Sequence, residues 1–518
     1  MHTLRLFLIA LAAFGVTTDW AHAEPASPTP VQAKQYGTVH FPVSCTPAAQ
    51  EQFDQAVTML HSFFYPETIK AFTTVAETDP QCAMAYWGIA ISQRPNPLVA
   101  PWDNATLQRG LDAIVKGQAL AHTAREQDWL AAMAHMYPTY PDDDEAGVFY
   151  ALALNETVSL ADKTYAQQLR AAAILEALDA KHPNHPGIAH YLIHSYDFRP
   201  LAERGLPAAN KYAQIAPSAP HALHMPSHTY SMLGQWQASI ASNTASLAAA
   251  KAYAATHYAP GVSDPSELHL YDFMAYADLQ LGRDQDAKHL VEAVQAITQT
   301  ARTSIVVETG FAAVPARYVL ERGAWREAAA LTPRLSPYPY AEAIGYFTRA
   351  MGAAHTGALA QAHEDVARLT SLRDADLTKH QDYWAGQTEV LMKAASAWVA
   401  LAEGQTPLAS IRMREAADLE DASEKHVAME NRLYPMRELL GYLLLELQEP
   451  GQALQAFEAS LNETPNRLRG FYGVAQAAER AGDRGKARDY YTRLVALSAD
   501  TDSTRPEFAQ AKAFVVGP

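Results

Sequence analysis

The stretch "PGIAHYLIHSYDFRPLAERGLPAANKYAQIAPSAPHALHMPSHTYSMLGQW", residues 186–236, decides the fold. Within it "AANKYAQIAP" runs small and aromatic residues at helical spacing and stops at Pro217, as "TIKAFTTVAETDP" stops at Pro80 and "QALQAFEASLNETP" at Pro465. That pattern is the second helix of a tetratricopeptide unit, which recurs in a frame of about 34 residues. If Pro217 is position 32, one unit starts at Pro186 and the next at Pro220, so Tyr196 and Tyr230 both fall at position 11 and Gly234 at position 15. Near the C-terminus the same count puts Gly482, Ala487 and Tyr491 on schedule after Pro465.

Outward from this stretch the chain is rich in Ala, with apolar residues at helical spacing, Gly or Pro punctuation and almost no strand-like alternation. The expected fold is all-α, a tetratricopeptide-like helical-repeat solenoid with a right-handed stack of helix pairs, each stable only against its neighbours. The solenoid is expected over 45–518, with histidine-rich repeats at about 182–290 and C-terminal repeats at about 434–500. Looser segments, "SQRPNPLVAPWDN" and residues 253–267, read as insertions.

The first residues, "MHTLRLFLIALAAFGVTTDWAHAEPA", carry Arg5, an apolar run to Val16 and small residues ending at Ala23. This reads as a secretory signal, residues 1–23, cut after Ala23, followed by an extended segment over 24–44 and a periplasmic or secreted mature protein. The run is shorter than the ~20 residues needed to span a bilayer, so no membrane insertion is expected. A net charge of −16 excludes nucleic acid and anionic membrane as partners. Two cysteines, Cys45 and Cys82, precede the first helices of consecutive units and read as a disulfide in an oxidising compartment, with two buried thiols as the alternative.

Seven of the chain's 20 histidines fall within residues 182–228. Positions 5, 9 and 12 of a unit line the concave face. They are His190, His194 and Asp197 in one unit and His224, His228 and Ser231 in the next. Residues four apart share a helix face and adjacent helices lie about 8–10 Å apart, so four imidazoles can close on one metal ion or on two neighbours. Asp197 is a ligand or the acceptor that orients a ring. His185 and His221 precede their helices and cap the site, and His182 reads as a loop residue. In the third unit His269 and Asp272, at positions 2 and 5, are further ligands, acid-base partners or plain groove lining. His257 is placed to fold over the groove, and Met225 reads as core.

Imidazole suits several metals; copper ranks first in an exported protein lacking thiolate ligands, then iron or zinc. Other templates fail. His190 precedes Tyr191 and His224 precedes Met225, so no His-Glu-x-x-His exists, and Ser227 beside His228 lacks a nucleophile elbow. "DDDE" at 142–145 reads as a solvated loop.

In "VSCTPAAQEQFDQAVTMLHSFFY", "DPQCAMAYWGIAIS", "HPGIAHYLIHSYD", "HALHMPSHTYSMLGQW" and "PARYVLERGAW" the chain resembles a bacterial family of exported tetratricopeptide-like proteins. The resemblance implies the repeat fold and the histidine motifs at His185, His190, His194, Asp197, His221, His224 and His228. Where some relatives carry a His, "SQRPNPLVAPW" has none. Two functions follow as expectations. One is a metal-dependent protein, an oxidoreductase or hydrolase if a coordination position is open and a carrier if not. The other is a scaffold whose groove holds a peptide, a partner protein or a small molecule.

Overall fold

The spacing of small and apolar residues produces helix pairs throughout. The computed structural model describes residues 35–94, 96–98, 104–131 and 142–517, so the expected signal at 1–23 lies outside the described residues, as does 24–34 of the extended segment. In the first half Pro47–His61 pairs with Tyr65–Thr78, Ala83–Ile91 with Asn104–Leu120, and Asp144–Glu156 with Ala166–Asp179. Pro186–Ser195 then pairs with Ala202–Ile215, and Pro220–His224 with its continuation Pro226–Met232 pairs with Trp236–His257. Ser266–Gln280, Ile305–Glu321, Pro339–Thr356, Asp382–Ala402, Met436–Glu446 and Leu468–Arg480 each open a later pair. First helices pack on the first helices of the next pair, and second helices on the following first helix. That is the tetratricopeptide arrangement, and the chain is an all-α solenoid of this kind.

Turn chemistry sets the pairs. Gly234, Gly282, Gly323, Gly357, Gly404 and Gly482 all take positive φ at the bend between paired helices, a conformation in which a Cβ is strained. In the unit ending at Pro80 the same position 15 falls on Phe63, whose φ is 50°. Pro226 divides the first helix of its unit, yet Met225 keeps right-handed helical angles (φ −51°, ψ −36°). His224 and His228 therefore stay about one turn apart.

Cys45 and Cys82 are joined by a disulfide at the N-terminal end of the array. Residues 35–46 lack regular secondary structure and lie on the loops before the two histidine helices. Gln35 and Ser218 exchange hydrogen bonds, and the Thr38 amide donates to the Asn184 carbonyl at 3.2 Å. Gly37, at φ 92°, is required there because a Cβ would meet the Asn184 carbonyl and the Pro186 ring.

The solenoid also folds back on itself. Leu468–Arg480 packs on Ser266–Gln280, Trp236 Nε1 donates to the Asn466 carbonyl at 2.8 Å, and Arg467, fully buried, reaches Glu438 (2.9 Å), Glu321 (2.8 Å) and the Tyr276 hydroxyl (2.7 Å). Residues 423–435, between Thr406–Asp421 and Met436–Glu446, cross to the histidine side: Lys425 Nζ lies 2.8 Å from Asp197 Oδ2. The face that the repeat frame opens as a groove is thus covered at the histidines by the chain itself, because the returning pairs bring a buried cation onto a buried carboxylate.

Candidate metal centre

His185 caps the helix Pro186–Ser195, its Nδ1 accepting the Ile188 amide, and Pro186 opens the first turn. This start aims His190 and His194 to the same side, with the Nε2 atoms 3.1 Å apart. Gly187 has no Cβ because one would strike the His61 ring. His221, from the start of the next unit, places its Nε2 3.1 Å from that of His190. His190, His194 and His221 form one triad.

The second triad is His224, His228 and His269, with the Nε2 atoms of the first two 3.0 Å apart. The triads adjoin: ring centroids of His194 and His228 are 6.1 Å apart, and those of His221 and His224 are 6.0 Å apart. Six imidazoles from three consecutive units thus stand in two groups of three.

The outer nitrogens decide the tautomers. His190 Nδ1 donates to the His61 carbonyl (2.7 Å), His224 Nδ1 to Asn243 Oδ1 (2.7 Å) and His228 Nδ1 to Asp197 Oδ2 (2.9 Å). The Asn243 amide nitrogen is committed to the Ser239 carbonyl at 2.8 Å, so its oxygen faces His224. In each neutral ring the proton sits on Nδ1 and the Nε2 lone pair points inward. His224 and His228 then oppose two lone pairs at 3.0 Å with no proton between them. Such a pair is repulsive alone and attractive to a cation, and the outer acceptors are of the kind that orient metal-bound histidines.

Burial holds the rings neutral. Desolvation, then the neighbouring imidazoles, depresses His190, His194, His221, His228 and His269 well below the ordinary histidine range, and burial brings His224 to about 4. Neutral imidazole is the form that ligates.

Asp197 has no direct place among the converging Nε2 atoms. One oxygen bridges His228 and Lys425; the other has no protein partner. Asp272 is a correction to the expected ligand set: buried, it faces Arg317 Nε at 2.7 Å, since a buried carboxylate takes a guanidinium partner before neutral rings. His185 stands outside both triads, in a third group with His61 and Glu145 whose candidate ligand atoms also lie within 4.8 Å of one another. His185 Nε2 and His61 Nε2 donate to the two oxygens of Glu145 (2.7 and 3.0 Å), and Tyr191 occupies His61 Nδ1 at 3.0 Å. Every ring nitrogen of that group has a hydrogen-bond partner, and the His61 carbonyl passes its order on to His190. His182 is an exposed partner of Asp144 (2.7 Å), and His257 stacks on Tyr253 beside Glu67. Met225 is core. Ser227 lies 3.3 Å from His224 Nδ1, with no bond to His228 that would make a triad.

Sequence reasoning missed Phe63, Asn243 and Lys425. Phe63 stacks on His221 (centroids 5.5 Å) and meets His190 edge-on at 4.4 Å. A bulky residue at positive φ is strained by ~1–3 kcal/mol and such strain concentrates at functional sites. The legible signal was an aromatic where the repeat frame wants glycine. Lys425, 228 residues from Asp197, left no local signal.

Beside the first triad lies a cavity of about 470 Å³, with His194, Asp197 and Lys425 in its wall. Its size is that of a small-molecule site.

No protein-family model matches the chain. No curated protein matches it either. Among solved structures, the crystal structure of the APC/C hetero-tetramer Cut9-Hcn1 matches with a TM-score of 0.34 and 12% identity, over 89% of this chain and 90% of that one. The repeat assignment rests on the helix pairing described above, to which a likeness of this level adds nothing.

Proposed function

We propose that this is an exported metalloprotein that holds two metal ions side by side, one in each histidine triad, with copper the first choice and iron or zinc next. The observation that carries the reading is the pair of opposed lone pairs on His224 and His228, each ring pinned by an acceptor on its far nitrogen. His190 is pinned the same way by the His61 carbonyl. The all-nitrogen, thiol-free donor set suits these metals. Export fits the Cys45–Cys82 disulfide and the resemblance to an exported bacterial family. Among the described residues no helix is long and apolar enough to cross a membrane.

An ion held by the three imidazoles of either triad would have room for a further ligand, which favours an enzyme, oxidoreductase or hydrolase, over a carrier. A redox metal there supplies electron transfer, and zinc supplies a Lewis acid. The chain's own part is orientation and dryness: Asp197 and Asn243 fix two rings, Phe63 covers the first triad, and Lys425 balances the Asp197 charge. A scaffold for a peptide or partner protein, the alternative that repeat folds favour, needs a surface other than the covered histidine face.

The test is elemental analysis of untagged protein beside the His190→Ala/His228→Ala double variant. About two ions per chain are expected in the wild type and fewer than one in the variant. Sub-stoichiometric metal in both would sink the reading.

A further inference from the structure

The wall of the 470 Å³ cavity beside His194 has a chemistry of its own. Its buried carboxylate Asp197 is matched by Lys425 at 2.8 Å and half-buried Glu156 by an arginine at 3.0 Å, while the exposed Asp382 also lines it. A charged ligand finds no unpaired buried counter-ion there. One side is aromatic, with Trp384 and His426 ring centroids 5.0 Å apart and the ring planes tilted by 47°. On another side Gln168, only 1% exposed, has neither its amide oxygen nor its amide nitrogen bonded to protein, and Asp197 Oδ1 is unpartnered too. A buried amide left unpaired costs on the order of 1–3 kcal/mol, which a ligand offering both a donor and an acceptor recovers. Hydroxyl and primary amide groups each offer both.

We propose that this cavity binds an uncharged aromatic molecule bearing a hydroxyl or a primary amide, its polar end on Gln168 and Asp197 and its ring against Trp384 and His426, next to the metal of the first triad. The placement beside a metal rests on the function proposed above; the binding of the ring does not. The match is one of size, aromatic lining and hydrogen-bond complement, as small-molecule sites use them.

The experiment is calorimetric titration of the full chain, once after chelator treatment and once loaded with copper, using 4-methylphenol, benzamide, benzoate and benzylammonium. At least one neutral probe is expected to bind ten or more times tighter than both charged ones, with or without metal. Gln168→Leu should weaken it by about tenfold, the size of one hydrogen-bonding group. Val158→Phe, at the cavity wall, should abolish binding with circular dichroism and metal content unchanged, which guards against a misfolded Gln168 variant. Equal affinity for a charged probe, or neutral binding that survives both variants, overturns the proposal. Neutral binding by a chain that takes up no copper overturns the metal reading and leaves the cavity; copper uptake without probe binding does the reverse. In copper-loaded protein the bound probe should also shift the visible copper spectrum, and binding without a shift refutes the placement beside the metal.

Discussion

At the scale of single residues, the site is governed by what stands behind each imidazole. Asp197 lies opposite the converging nitrogens yet sets the His228 tautomer, and its charge is met by Lys425, both side chains almost wholly buried. Outer partners of this kind typically change metal affinity by ~10–100-fold when removed. Asp197→Asn should therefore weaken one of the two bound ions by that range and leave the other unchanged, as read by chelator competition; equal weakening of both would show that the triads are not separate. Sequence spacing made His190, His194, His224 and His228 legible because residues four apart share a helix face. It left Asp272 open between ligand, acid-base partner and groove lining because a position in a repeat says which way a side chain leaves the helix, and the partner it meets, Arg317, comes from the following pair.

At the scale of helices, close approach is set by missing Cβ atoms. In Pro339–Thr356, Gly352 lies against the backbone of Trp325–Ala329, and an added Cβ would collide with the Ala329 nitrogen and the Ala328 carbonyl carbon. Overpacking against backbone costs ~1–3 kcal/mol, so Gly352→Ala should lower the urea midpoint. Gly386, inside Asp382–Ala402, has nothing within 4 Å of its built Cβ. Gly386→Ala should raise the midpoint by up to ~1 kcal/mol of stability, because only the backbone entropy of glycine is removed. Midpoints that move in the same direction would refute this division. The turn glycines were legible in the same way, through position 15 of the frame, and so was the anomaly at Phe63. What the frame did not disclose is that this strained turn delivers an aromatic ring onto imidazoles of a unit more than a hundred residues away.

At the scale of the whole molecule, residues 423–435 bind the C-terminal pairs to the histidine units. Arg317 donates to Asp272 (2.7 Å) and to the carbonyls of Asn431 (3.1 Å), Arg432 (2.9 Å) and Leu433 (3.2 Å). Glu430 beside it is held largely uncharged at neutral pH, its carboxyl pushed up to about 8 by burial. Arg317→Met leaves the Asp272 carboxylate buried without its cation, a loss of ~3–5 kcal/mol in comparable sites. Amide hydrogen exchange should then accelerate across 423–435 while Pro47–His61 and Tyr65–Thr78 keep their protection. Unchanged exchange in 423–435 would mean that other contacts carry the crossing.

By itself the sequence determined what depends on spacing along the chain: helices, their pairing, the turn positions and the inward direction of the paired histidines. Helical periodicity and a repeat of fixed length fix directions locally, so no distant information is needed. Tertiary structure alone decided the grouping of six rings as two triads, the assignment of His185 to Glu145, and the closure over the histidines by Lys425. Each of these joins residues far apart in sequence, and which partner a buried charge or ring meets depends on how the solenoid returns upon itself, which no local period encodes.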